Sequence, residues 1–208
     1  MSGKQISDNV ISRLPKYYRY LQELNSKKIT RVSSKTISEA LNITASQVRQ
    51  DLSHFGGFGQ QGYGYDTEYL KARIREILGL TNHHNAIIIG GGRIGQALAN
   101  YKGFSLENVY VRAVFDVETS HVKNIEGVEI LNMSELENYV KNHKIDVAII
   151  SVQKEQAQIV AEKVVNLGVK AIWNFAPIDL NFGSHAVCEN INMSESLMRL
   201  IYNTHKTR

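Results

Sequence analysis

The segment Ile87-Ile88-Ile89-Gly90-Gly91-Gly92-Arg93-Ile94-Gly95-Gln96-Ala97-Leu98 constrains this chain more than any other. A β-branched run leads in, an amphipathic helical pattern leads out, and the glycines between them read G-x-G-x-x-G. In that context the spacing is a dinucleotide-binding fingerprint. Gly90 permits the tight turn, Gly92 lets the backbone approach a pyrophosphate, and Gly95 lets the helix pack on the strand. Gly91, Arg93 and Ile94 complete the turn, and the helix N-terminus faces the anion. The next strand ends at Phe115-Asp116, 21 residues past Gly95. There a carboxylate would bond ribose hydroxyls, and no arginine follows in Val117-Glu118-Thr119, which favours NAD(H) over NADP(H). A plain strand-end cap is the other reading of Asp116.

Around this motif, short apolar runs alternate with helical stretches: Ala86–Ile89, Val109–Phe115, Val147–Ile150 and Ala171–Trp173. Runs apolar on both faces predict a parallel sheet covered by helices, hence an α/β fold. Upstream of Gly79-Leu80 the periodicity is helical instead. The polar stretch Thr81-Asn82-His83-His84-Asn85 reads as a linker, its paired histidines solvated rather than metal-binding. Three segments are expected: 1–80, 81–190 and a terminal helix at 191–208.

The first segment predicts a helix over Ser7–Asn25, kinked or restarted at Pro15. Ser33-Ser34 precede a second helix, with Ser34 as the N-cap candidate. Asn42-Ile43-Thr44 makes a turn, and a third helix runs from Ala45 to Phe55. Val48, Leu52 and Phe55 point inward; Ser46, Gln47, Arg49, Gln50, Ser53 and His54 point outward. That is what a recognition helix in a DNA major groove requires, since arginine pairs with guanine and glutamine with adenine. A three-helix bundle with a polar face fits this helix equally well. The Gly/aromatic stretch Phe55–Tyr65 then predicts a β-hairpin, the wing of a winged helix. Asp66 or Thr67 caps a linker helix with Tyr69, Leu70, Ile74, Ile77 and Leu78 as its apolar stripe, ending at Gly79.

Charge follows the same division. Residues 1–79 carry 12 Lys+Arg against 7 Asp+Glu; the remaining residues carry 12 against 13. A basic half beside a near-neutral half fits one part meeting a polyanion. The polar start and the lack of a long apolar run predict no membrane span and a cytoplasmic location. The single cysteine, Cys188, excludes an intrachain disulfide and reads as a small buried hydrophobe; no metal site is expected. Beyond the nucleotide fold no room remains for a substrate domain. No obvious His–Asp pair suits hydride transfer, and His185 reads as a loop residue. The nucleotide therefore reads as a signal rather than a substrate.

Several stretches together resemble one family. They are Arg13-Leu14-Pro15-Lys16-Tyr17-Tyr18-Arg19, Gln47 to Gly56 and the wing, then Gly90 to Gly95, Tyr101-Lys102-Gly103-Phe104, Phe115-Asp116 and Trp173-Asn174-Phe175-Ala176-Pro177. Collinear over essentially the whole chain, they are similar to the Rex family of redox-sensing repressors. The resemblance implies a homodimer with an exchanged C-terminal helix, which fits the apolar Met193, Leu197, Met198, Leu200, Ile201 and Tyr202. It implies a palindromic double-stranded DNA operator, bound with NAD+ and released by NADH. Contacts to DNA would come from Ser33, Ser34 and the outward residues of the third helix, with Gln60 and Gln61 on the wing. Ser151, Val152 and Gln153 with Asn174, Phe175, Ala176 and Pro177 would line the nicotinamide site. Arg19 and Tyr101 would form the switch, joined at the dimer interface by Phe104, Asn192, Met193 and Leu197.

The chain also departs from the family. Gln50 and Gln60-Gln61 stand where basic residues are common, Ser151-Val152-Gln153 replaces Thr-Val-Pro, and Asn192 replaces an aspartate that partners the switch arginine. Three alternatives stay open: the same DNA module with coenzyme A or another nucleotide, a member with a weakened NADH response, and a small NAD-dependent enzyme.

Overall fold

A computed structural model describes residues 7–54, 59–60 and 63–206, with the backbone alone at 59, 60 and 206. The chain divides into two compact units, Met1–Asn82 and His83–Arg208.

The first unit opens with α1 (Asp8–Ile11) and α2 (Leu14–Ser26). Pro15 lies in the first turn of α2, where a missing N–H costs no hydrogen bond, so the helix restarts rather than kinks. Strand β1 (Arg31–Val32) leads into α3 (Ser34–Leu41). The cap of α3 is Ser33, not Ser34: its Oγ accepts from the Thr36 N–H at 3.0 Å. Asn42, left-handed at φ 53°, ends that helix, and Thr44 caps α4 (Ala45–Ser53) by accepting from the Gln47 N–H. Strands β2 (Gly59–Gln60) and β3 (Gly64–Asp66) form an antiparallel pair, and β1 joins it in the order β1-β3-β2. Asp66 then caps α5 (Thr67–Ile77).

Leu14, Tyr17, Leu21, Ile37, Val48, Leu52, Leu70 and Ile74 form the core of this unit. Tyr69 does not join it and stands exposed. The stripe of α5 runs through Leu70 and Ile74, and a neighbour one residue off is turned about 100° away. Phe55, Gln61 and most of the wing loop lie outside the described residues.

The second unit begins with β4 (His84–Ile89), so His84 and Asn85 are strand and not linker. The Gly90–Gly92 turn follows, then α6 (Arg93–Ala99), α7 (Gly103–Leu106) and β5 (Val109–Asp116). Next come β6 (Glu129–Asn132), α8 (Leu136–Asn142), β7 (Val147–Ile150), α9 (Lys154–Asn166), β8 (Ala171–Asn174) and β9 (Val187–Asn190). The chain closes with α10 (Met193–Lys206).

The six strands are parallel in the order β6-β5-β4-β7-β8-β9. Ile87 and Ile89 enter one apolar cluster with α9, while Ala86 and Ile88 enter another on the opposite face. The chain moves outward from β4 to β6, then returns to β7 on the other side. The strand order therefore reverses between β4 and β7, and a crevice opens at their carboxyl ends.

Candidate functional site

At that crevice lies a cleft of about 540 Å³, lined by Gly90, Gly92, Asp116, Glu118, Ser151, Val152 and Gln153 over an apolar floor that includes Ile89, Phe115 and Met133. The three motif glycines differ in what they tolerate. Gly90 has φ +104°, and a Cβ there would stand 2.6 Å from the Ser151 carbonyl oxygen. A Cβ on Gly95 would meet the Gly90 oxygen at 1.9 Å, whereas one on Gly92 would meet no atom within 4 Å. Gly90 and Gly95 thus hold the turn closed, and Gly92 keeps its backbone open to the cleft. Arg93 and Ile94 are exposed on the first turn of α6.

Asp116 terminates β5 beside this turn. Its Oδ2 accepts from the Gly91 N–H at 2.5 Å and its Oδ1 from the Glu118 N–H at 3.0 Å. The strand-end role and a ligand-facing role coincide, since the same carboxylate lines the cleft. Hydrogen bonds from Ser120 hold the Glu118 carboxyl below the usual carboxylate range. Two carboxylates therefore stand at this end of the cleft, an arrangement hostile to a phosphorylated ribose. On the opposite wall the Ser151 hydroxyl donates to the Gly90 carbonyl at 2.9 Å.

The segment Asn174–Pro177 is absent from the cleft lining. Asn174 is fully buried: its Nδ2 donates to the Ile178 oxygen at 2.6 Å and to Asn190 Oδ1 at 2.8 Å, and its Oδ1 accepts from the Ala176 N–H. Asn190 in turn pairs with the backbone of Leu180. This knot fixes the loop after β8 and the start of the chain leading to α10. Ala176 is also buried, Phe175 half-buried and Pro177 exposed. Phe175 packs edge-on to Trp173, Trp173 to Phe104, and Phe104 to the exposed Tyr101. Burial pushes the Cys188 thiol up, as a packed side chain rather than a reactive one.

Met193, Leu197, Met198, Leu200, Ile201 and Tyr202 are each half or more exposed along α10. A row of this size is unusual on the surface of a monomer. Asn192 accepts the Glu195 N–H and donates to the Glu195 carboxylate, so it caps α10 in this chain.

In the first unit, Ser46, Arg49, Gln50, Ser53 and His54 are exposed on or at the end of α4. Arg49 donates to the Ser34 hydroxyl at 3.3 Å, tying α4 to the start of α3. The Ser53 hydroxyl donates back to the Gln50 carbonyl. Gln47 departs from the outward reading: it is half-buried, and its Nε2 donates to Asp51 Oδ1 at 2.8 Å. The side chains of Gln60 and Gln61 lie outside the described residues, and Arg19 is exposed on α2.

Asp51 was missed as a functional position. It is completely buried, and it accepts from Arg13 Nε at 2.6 Å, Arg13 Nη2 at 2.8 Å and the Tyr17 hydroxyl at 2.7 Å. Burial alone would raise its carboxyl, but the hydrogen bonds from Arg13, Tyr17 and Gln47 outweigh it and hold the group below its ordinary value. Burial and the Asp51 contact push the Tyr17 phenol up. Two bonds from one guanidinium to one carboxylate fix both distance and angle. They lock α4 onto α2, and so set where the exposed face of α4 points. Arg13 and Tyr17 lie 38 and 34 positions from Asp51, a separation at which sequence pattern carries no sign of the contact.

No group of three His, Cys, Asp or Glu among the described residues could hold a metal ion, and no described helix is long and apolar enough to cross a membrane.

Residues 5–53 match a family model described as a putative DNA-binding protein N-terminus, and residues 81–178 match one described as a CoA binding domain. The redox-sensing transcriptional repressor Rex of Clostridioides difficile (strain 630) is 46% identical over 203 residues, 97% of each chain. That of Clostridium novyi (strain NT) is 49% identical over 200 residues, 96% of this chain and 95% of the relative. The crystal structure of RSP in complex with beta-NAD+ and operator DNA is similar at TM-score 0.90 and 43% identity, covering 98% of this chain and 94% of that one. RSP in complex with beta-NADH is similar at TM-score 0.87 and 39% identity, covering 97% and 95%. With a dinucleotide-type crevice in one unit, a winged helix in the other and full-length similarity to named repressors, this chain belongs to the Rex family of redox-sensing transcriptional repressors.

Proposed function

We propose that this chain is a cytoplasmic, non-enzymatic repressor that binds a palindromic operator as a homodimer and releases it when NADH occupies the cleft at the β4/β7 reversal. The observation that carries the reading is the cleft itself. An open Gly92 backbone stands beside a glycine turn, with Asp116 at the adjoining strand end, in a chain that also carries a winged helix. Gly90 to Gly95 with Arg93 and Ile94 would hold the pyrophosphate, and Asp116 would bond the adenosine ribose. Ser151 and Val152 would flank the nicotinamide end, with Asn174 to Pro177 shaping that end through the loop they fix. Ser34, Ser46, Arg49, Gln50, Ser53 and His54 would meet DNA, while Gln47 would act by holding Asp51. The exposed row on α10 would be buried against a second copy, and Arg19, Tyr101, Phe104 and Asn192 would couple cleft to operator.

A second reading, coenzyme A as the ligand, is favoured by the family model matched over residues 81–178. Asp116 and Glu118 oppose it, because the ribose of coenzyme A carries a phosphate. One titration separates the two: operator binding at fixed salt against NADH, NAD+, NADPH and coenzyme A. An allosteric coupling of about 1–3 kcal/mol predicts a ~5–150-fold loss of DNA affinity with NADH alone. Unchanged binding at saturating NADH would overturn the sensing role, and release by coenzyme A would replace the ligand.

A further inference from the structure

The wing carries Gln60-Gln61, yet its sheet holds an arginine that the site described above does not use. Arg31 opens β1, is exposed, and its guanidinium carbon stands 5.7 Å from the centroid of the Tyr63 ring. That is cation–π distance. Tyr63 is 70% exposed, so its ring serves no core. Among the described residues no carboxylate forms an ion pair with Arg31. Its ladder partner Asp66 instead spends an oxygen on capping α5. A guanidinium lying on an aromatic face keeps its in-plane N–H donors free for an oxyanion, and the ring restricts its rotamers before any ligand arrives.

Position gives this pair its meaning. Two residues after Arg31, Ser33 caps α3, and Ser34 receives Arg49 from the recognition helix. The root of the wing packs at the same place: a Cβ on Gly64 would stand 2.6 Å from the Val32 oxygen. Arg31 thus sits where recognition helix, α3 and wing converge. We propose that Arg31, held over the Tyr63 ring, is a backbone-phosphate contact of the DNA interface and supplies charge that the neutral wing residues Gln60 and Gln61 do not. This assignment rests on the DNA-binding reading above.

The test uses the full chain and a duplex enriched by the wild type from a randomised pool, with affinity measured by fluorescence anisotropy from about 50 to 200 mM salt. R31Q lowers the log–log salt slope by roughly 0.9 per bound protomer. R31K keeps the slope but binds more weakly. Y63L weakens binding several-fold with the slope retained, whereas Y63F matches the wild type. An unchanged slope and affinity in R31Q, or identical behaviour of Y63L and Y63F, overturns the assignment while leaving DNA binding intact. Failure of the wild type to enrich any duplex overturns the DNA-binding reading itself. Both side chains are exposed, so equal thermal midpoints verify that each variant folds.

Discussion

Asp51→Asn removes one charge and at least one acceptor from a fully buried site. Breaking a buried pair by deleting one partner costs about 3–5 kcal/mol. Here the Arg13 side chain is 24% exposed and regains some water, and the amide still offers one acceptor. The loss should therefore be about 2–3 kcal/mol, with the unmet Arg13 and Tyr17 donors as its main source. For a unit of this size that lowers the unfolding midpoint by roughly 10–20 °C. The pH dependence identifies the cause. Asp51 is held below its ordinary value of 3.8 in the folded chain, so its contribution is complete above that value and lost as pH falls through the lower folded one. The stability gap between wild type and variant should be flat from about pH 5 upward and close in stronger acid. Differential scanning calorimetry across pH measures both. A gap that is absent at neutral pH, or one that persists unchanged in acid, would refute the argument that this ion pair anchors the recognition helix.

Further tests follow from the cleft and the exposed face of α10. Gly92→Ala folds normally, since no atom lies within 4 Å of the added carbon. It should nevertheless lose NADH affinity, read by the cofactor's fluorescence. Gly95→Ala, by contrast, drives a carbon to 1.9 Å from the Gly90 oxygen and should destabilise the second unit by about 1–3 kcal/mol or more, seen in its thermal midpoint. Asn174→Ala leaves the buried Ala176 N–H without its acceptor, while Asn190 Oδ1 keeps the Leu180 N–H, so the loss should be about 1–3 kcal/mol for the one buried group left unsatisfied, measurable by urea unfolding. Leu197→Glu with Ile201→Glu places charges on the exposed row of α10; on the proposed homodimer, light scattering should report dimers for the wild type and monomers for this variant.

Much of this fold was legible because its signals are local. Ile87 to Gly95 names a strand, a turn and a helix by composition alone, and the structure gives Gly90 and Gly95 a steric reason. The strands with continuous apolar runs were readable for the same reason: both faces of β4 and β7 are buried. By contrast β6 and β9, at the two edges of the sheet, are only partly buried and carry no such run. Each meets a single neighbouring strand and stays partly open to solvent, so polar residues enter it and no apolar run announces it.

The sequence by itself determined the two modules, the glycine turn, the acidic strand end and the family. Only the tertiary structure decided which polar residues are spent on supporting the fold. Gln47 and Asn174 read as contacts with DNA and nucleotide, yet each is spent on a buried partner. Asp51, which carried no role in the sequence, governs how α4 is held. The physical reason is that burial and pairing depend on the whole packed chain. A helical wheel gives the direction a side chain leaves the backbone, not the carboxylate or carbonyl that waits for it.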